Sequence, residues 1–249
     1  MVDLNVSILH GVKCDETDYN LAVETVKEAF NNGIKRMVLV GKQGTEENNL
    51  SICDMQNRIS IMEEKLNERR IKVKLYLGQI IKLSENNLKD CLNGKYENVN
   101  GSKYMLVDLD GTMTDEQVDM IFELTLIGIV PIILYPERCK EIVGNIKKID
   151  KLKELGCLFE LGINSLKGKY GNKTKKVAKK LLKDNEYDFV SNEISEELNK
   201  EKKYGDRLLS KSQKETFENN ALKVLRNEDI PNSINVKKKK KKPWYKLAV

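Results

Sequence analysis

Short apolar runs alternate along the chain with longer stretches whose apolar positions recur every three or four residues. Residues 2–9, 36–40, 73–77, 104–108, 130–134, 158–161 and 189–190 read as strands. Between them, Thr17 or Asp18 can cap a helix that carries Leu21, Val23, Val26 and Ala29 and stops at Gly33. Residues 51–69, 115–127, 140–155 and 173–182 repeat that helical pattern, with Gly128 and Gly156 placed where a helix ends. Seven strand–helix units without hairpin signals predict an α/β fold with a parallel sheet, either a barrel or a doubly wound layer. In both, chemistry belongs on the loops at the carboxyl ends of the strands. Residues 194–212 are polar and read as a loop or loose helix. The expected organisation is a folded domain over 1–230 and a separate tail over 231–249.

Composition narrows the classes. The 249 residues are 40% hydrophobic, 33% charged and 6% aromatic, enough for a sizeable core under a polar surface. No run approaches the ~20 apolar residues of a membrane span, and the first ten residues lack the build of a signal peptide, so a cytoplasmic protein is expected. Cys14, Cys53, Cys91, Cys139 and Cys157 are odd in number and widely spaced, which argues against a disulfide framework or a structural zinc site. The net charge of +6 is carried by a tail with seven lysines in the last thirteen residues. Without them the body is close to neutral, so no specific nucleic-acid partner is expected.

One string suggests phosphate chemistry directly. Val107-Asp-Leu-Asp-Gly-Thr-Met-Thr-Asp115 resembles the first motif of haloacid-dehalogenase phosphatases, with Asp108 as nucleophile and Asp110 as acid. The later strands lack the hydroxyl, the lysine and the paired aspartates of that family. The plain reading is a strand end, an Asp-Gly turn and a Thr114 helix cap.

A broader resemblance covers residues 1–235. The opening Met-Val-Asp-Leu-Asn-Val-Ser-Ile, the segment 122–138 ending in Tyr135-Pro-Glu-Arg138, and Ser165-Leu-Lys-Gly-Lys-Tyr-Gly-Asn-Lys173 before a lysine-rich helix are similar in order and spacing to CpsB-type tyrosine phosphatases of capsule loci, within the PHP superfamily. The resemblance implies a distorted (β/α)7 barrel of parallel strands with a flexible basic C-terminal tail. It implies hydrolysis of phosphotyrosine through clustered divalent metals, commonly manganese, and a partner that is a bacterial tyrosine kinase or another polysaccharide-assembly protein.

At the metal positions the chain departs from that pattern. The resemblance places Asn5 and Ser7 at a His-x-His, Cys14 at an aspartate beside Asp15, Lys42 at a histidine and Gln79 at a glutamate. Asp108 stands for a glutamate, Tyr135 for a histidine, and Asn192 and Ile194 for an Asp-x-His. The single histidine, His10, lies three residues past its strand position. Dication clusters need imidazole and carboxylate donors, and an ammonium at ~4 Å repels even a single positive charge by roughly 4 kcal/mol at an effective dielectric near 20. The expectation is therefore no cofactor, no catalytic residue and a non-hydrolysing relative. The competing expectation is an active enzyme using Asp108, Asp3, Asp15 or Glu137.

The same resemblance places Arg138 and Arg207 beside the substrate phosphate, with Lys42 near them, and guanidinium forks suit phosphate oxygens. The alternative is that Arg138 only pairs with Glu137 or another acid. In the tail, Lys237, Lys238, Lys239, Lys240, Lys241 and Lys242 precede Trp244 and Tyr245, a polybasic-aromatic pattern suited to an anionic membrane surface. A merely solubilising tail and a nonspecific nucleic-acid contact are the alternatives.

Overall fold

A computed structural model describes residues 1–9, 16–42, 51–194 and 208–231, the side chain of Lys42 excepted. The chain runs β1 (Val2–Val6), α1 (Glu16–Asn31), β2 (Arg36–Lys42), α2 (Ile52–Glu68), β3 (Lys74–Lys82), α3 (Glu85–Leu92) and β4 (Tyr104–Asp108). It continues through α4 (Asp115–Leu126), β5 (Val130–Leu134), α5 (Lys140–Gly144), α6 (Ile149–Glu154), β6 (Leu158–Gly162), α7 (Ile163–Lys167), α8 (Asn172–Lys183), β7 (Phe189–Ser191) and α9 (Lys211–Leu225). The sheet keeps chain order from β1 to β7, each strand parallel to the next. Its two edges meet: Ser7 N donates to Ile194 O at 3.0 Å and Asn192 N to Asp3 Oδ2 at 2.9 Å. The result is a nearly closed α/β barrel of the PHP-like kind, as the resemblance implies.

Alternation along the strands sorts side chains inward and outward. Leu4, Val38, Val40, Ile80, Leu106, Ile132, Leu134, Leu158 and Phe189 fill the interior. α9 closes the amino-terminal end of the barrel. Its Ala221 and Val224 join the interior cluster, Asn220 Nδ2 donates to Asp188 O just before β7, and Glu228 O, just after the helix, accepts from the Tyr104 hydroxyl at the start of β4. Outside, α1 and α2 pack over the first strands, while a second layer of apolar side chains covers the rest. Helix starts follow local chemistry: Ser51, Thr114 and Ser210 each form a reciprocal capping box with the residue three positions on.

Several expectations shift. β3 extends to Lys82, which puts Gln79 inside the strand rather than at its end. The single helix expected over 140–155 is broken between α5 and α6, because Asn145 is extended and its side chain instead caps a short 3-10 turn at Lys147 N. Leu21 of the expected apolar stripe is 49% exposed, and Ala22 is buried in its place. α9 goes beyond the expected elements. The residues 195–207 of the expected loop lie outside the described residues, as does the tail from 232. Cys91, Cys139 and Cys157 are buried free thiols, and Cys53 is exposed. No helix among the described residues is long and apolar enough to cross a membrane.

This packing separates interior from surface apolar residues. Ile132→Ala, at a fully buried barrel position, is expected to cost about 2–5 kcal/mol. Phe122→Ala, on an outward face of α4, should stay within about 0.5 kcal/mol. Urea unfolding of the two variants checks the contrast.

Candidate functional site

The carboxyl ends of β1, β5, β6 and β7 meet around one buried cation. Tyr135 follows β5 in the left-handed backbone region, at φ 51° and ψ 50°. Its N–H donates to Glu160 O at 2.9 Å and its carbonyl accepts from Arg138 N at 2.8 Å. This turn aims the Arg138 side chain back over the barrel. The guanidinium carbon lies 3.9 Å from the Tyr135 ring centre and 3.8 Å from that of Tyr170, so both faces are covered by aromatic rings. On its edge, Nε donates to Ser165 Oγ at 3.1 Å. Nη2 lies 2.7 Å from Glu193 Oε1, a close ion pair. Gly162 makes room for this arrangement. A Cβ there would overlap Arg138 Nη2 and lie 2.8 Å from Glu193 Oε1.

Carboxylates surround the cation. Glu193 also accepts from Asn164 N at 3.0 Å and from the Tyr170 hydroxyl at 2.9 Å. Glu137 is fully buried and accepts from Gly162 N at 3.1 Å and the Tyr187 hydroxyl at 3.0 Å. Deeper in the mouth, Asn5 Nδ2 donates to the Tyr135 hydroxyl at 2.9 Å and to Glu160 Oε1 at 3.1 Å. Among the described residues, Glu160 Oε2 is buried without a hydrogen-bond partner. Asp3 accepts from Asn5 N, Asn192 N and Asn192 Nδ2.

Burial sets the protonation of this group. It pushes the Asp3 carboxyl up to about 6. Burial, with Asp3 close by, raises Glu160 far above the carboxylate range. Burial raises Glu137 as well, against the opposing pull of Ser165 and Arg138. The Tyr135 phenol is raised well above its usual value by burial and then by Glu160, so it is neutral. Burial alone would weaken the Arg138 charge, and Glu193 more than restores it.

The family positions read from the sequence are only partly together. Asn5, Tyr135 and Asn192 share the mouth. Ser7 sits past β1 and serves the seam to Ile194, which is buried in the apolar layer over the first strands. Gln79 Oε1 accepts from Glu97 N at 2.7 Å, and among the described residues its buried Nε2 has no hydrogen-bond partner. Asp108 Oδ1 accepts from Asp110 N at 2.8 Å, and Asp110 pairs with Lys82 at 2.8 Å. Those are the contacts of a strand-end turn, in a barrel whose strand order follows the chain, and they give no support to the haloacid-dehalogenase roles. Arg138 does pair with an acid, but with Glu193 first and with Glu137 only at 4.0 Å. His10, Cys14, Asp15, Arg207, the lysines 237–242, Trp244 and Tyr245 lie outside the described residues, as does the Lys42 side chain. Glu160, Tyr170 and Tyr187 were not singled out in the sequence. The available signal was Glu160 as a lone acid in the apolar strand Leu158–Gly162.

Seven parallel strands in chain order, nearly closed into a barrel with polar groups gathered at their carboxyl ends, make an α/β barrel of the PHP-like kind. The family described as capsular polysaccharide synthesis, CpsB/CapC, matches residues 1–226, and the chain belongs to it. It is 26% identical over 254 residues to CapC of Staphylococcus aureus, which carries a provisional name as a tyrosine-protein phosphatase, covering 99% of this chain and 100% of that one. It is 25% identical to tyrosine-protein phosphatase YwqE of Bacillus subtilis, over 78% of this chain and 76% of that one. A crystal structure from work on YwqE and on CpsB of Streptococcus pneumoniae, described as unique metal-dependent tyrosine phosphatases, superposes with a TM-score of 0.79 at 22% identity, covering 94% of this chain and 97% of that one.

The expectation of no cofactor is corrected by these relatives, which are described as metal-dependent. Its physical weakness is Glu160: counting substituted positions left out a buried carboxylate with an open oxygen, a hard donor suited to a dication. The described donors alone do not make a metal cluster. Asp3, Glu137 and Glu193 are each held by N–H or O–H donors, and among the described residues no three His, Cys, Asp or Glu side chains are grouped to hold an ion.

The raised carboxyls fix a pH dependence. Asp3 at about 6 and Asp188 at about 7, both raised chiefly by burial, keep a proton in the fold that the unfolded chain gives up near pH 4. Their stabilisation is complete below pH 4 and is lost as pH rises to about 7. Asp188→Asn can still accept from Phe159 N, the bond Asp188 Oδ2 now makes. Denaturant melts at pH 4.5 and 7.5 are expected to show a smaller fall in stability for this variant than for the wild type.

Proposed function

We propose that this chain serves capsular polysaccharide synthesis as a phosphotyrosine-binding regulator of a tyrosine kinase or another assembly protein, and does not turn its ligand over. The observation that carries the reading is the Arg138 guanidinium fixed at the barrel mouth by Ser165 and Glu193 between two tyrosine rings. Its fork can meet phosphate oxygens, and Arg207 and Lys42 are assigned to the same anion. Turnover further needs a base with a matched pKa within reach of the attacking water. At the mouth, Asn5 is an amide, Tyr135 is a neutral phenol, Asp3, Glu137 and Glu193 are engaged by donors, and burial holds Glu160 toward its neutral form. The reading concerns turnover and does not depend on whether a divalent ion is bound.

Titration of a phosphotyrosine peptide is expected to show saturable binding that Arg138→Ala weakens roughly ten- to a hundred-fold, the worth of a charge-assisted contact. Hydrolysis of p-nitrophenyl phosphate should be absent with and without added Mn²⁺. Turnover that appears with Mn²⁺ and vanishes on chelation would support the second reading, an active phosphatase, which Glu160 and its open oxygen favour.

The tail over 231–249 is assigned to an anionic leaflet, holding the barrel peripherally at the inner membrane face through Lys237–Lys242, Trp244 and Tyr245. The support is its charge and aromatic pattern. Full-length protein should sediment with phosphatidylserine vesicles, and a chain ending at Val236 should remain in the supernatant. Equal sedimentation of the two would remove the assignment.

A further inference from the structure

Tyr170 belongs to the short connection between α7 and α8, in Gly168-Lys-Tyr-Gly171. Both bracketing glycines are in the left-handed region, Gly168 at φ 93° and Gly171 at φ 90°, and a Cβ at Gly171 would meet nothing within 4 Å. The Tyr170 ring is 41% exposed, yet it covers a side chain that is itself only 20% exposed. On that ring's inner side, 3.8 Å away, lies the Arg138 guanidinium. Its hydroxyl donates to Glu193 Oε2 at 2.9 Å, while Glu193 Oε1 sits 2.7 Å from Arg138 Nη2. Tyr170 and Glu193 thus act as one unit, an aromatic ring joined through a hydrogen bond to an anion that neutralises the guanidinium.

An aromatic ring and an anion at a guanidinium are also the two parts of a phosphotyrosine. We propose that Tyr170, with Glu193, is an internal ligand mimic that gates Arg138 and sets which anions reach it. This rests on the phosphate-binding reading of Arg138. Glu193 Oε1 already sits 2.7 Å from Nη2, so a phosphate oxygen in the guanidinium plane takes the place of that carboxylate rather than adding to it. The entering anion must displace Glu193, and Glu193 is held by Tyr170 and by Asn164 N. Tyr170 therefore opposes small anions. A ligand that brings its own ring can replace the stack it removes, whereas inorganic phosphate cannot. Discrimination between the two ligands is the function assigned to Tyr170, as a positioning and specificity residue that does not touch the reacting atoms.

The test uses the full-length chain and two probes, inorganic phosphate and a phosphotyrosine peptide, in calorimetric titrations of wild type, Tyr170→Ala, Tyr170→Phe and Arg138→Ala/Tyr170→Ala. Tyr170→Ala should bind inorganic phosphate at least about ten-fold tighter than wild type, with a smaller gain for the peptide. Tyr170→Phe keeps the stack and loses only the hydroxyl bond to Glu193, so its gain should fall between the two. The double variant should lose the gain. If wild type binds either probe and neither Tyr170 variant binds phosphate more tightly, the gate is overturned while the phosphate site stands. Persistence of the gain in the double variant would also overturn it, because the anion would not be on Arg138. If no variant binds either probe, the gate and the phosphate-binding reading fall together.

Discussion

The structure turns on how one half-buried guanidinium is held at the polar mouth of the barrel. Isolating an ion from water costs several kcal/mol even after relaxation, and Arg138 meets that cost with a carboxylate at its edge, a hydroxyl on Nε and an aromatic ring on each face. Gly162 has to lack a side chain, Glu193 has to reach across from the end of β7, and Tyr135 has to accept a left-handed backbone. The remaining acids at the mouth cannot share that one positive charge. Asp3, Glu137 and Glu160 instead shift toward their neutral forms or draw on N–H donors. Burial thus favours the protonated forms of Asp3, Glu137 and Glu160 over further negative charge at the mouth.

That balance is supported from below. α9 caps the opposite end of the barrel with Ala221 and Val224, and it holds the start of β7 through the Asn220–Asp188 contact. β7 in turn carries Asn192 and Glu193 to the rim, where they meet Asp3 and Arg138. The seam between β1 and β7 relies on these side-chain contacts as well as on the Ser7–Ile194 backbone bond. The polar residues at the mouth therefore close the barrel as well as furnish a site. Asn192 is tightly engaged in that closure: its N–H and Nδ2 both donate to Asp3.

Much of this was legible in the sequence where periodicity is strong. All seven strands and the helices following β2 and β4 appear in the apolar pattern and in the caps at Ser51 and Thr114. α9 was not, because only Phe217, Ala221 and Val224 are buried in its fifteen residues and a plug at a barrel end needs few apolar positions. The break at Asn145 depends on one side chain preferring a local cap to helix continuation, a choice that periodicity does not register. At the site, Arg138 was legible through its motif, and its pairing with an acid was foreseen as an alternative. Glu193 as the partner and Tyr170 as the cover were not, since they come from β7 and from the α7–α8 connection and meet Arg138 only in three dimensions. The tally of substituted positions treated the mouth as stripped of carboxylates, and Glu160 shows why a list of substitutions is not a list of donors.

Tyr135 makes the closing point about what this mouth is built to hold. A bulky non-glycine residue in the left-handed region costs on the order of 1–3 kcal/mol, and nothing about a phenol favours that backbone. Pro136 disfavours the right-handed helical alternative for the residue before it, and the Tyr135–Glu160 and Arg138–Tyr135 backbone bonds lock the turn. The side chain on this strained turn is a neutral phenol. What the turn still does is direct Arg138 over the barrel and lay the Tyr135 ring against its face. The strain at Tyr135 is thus coupled to the placement of the Arg138 guanidinium, since the same turn fixes the backbone of both residues.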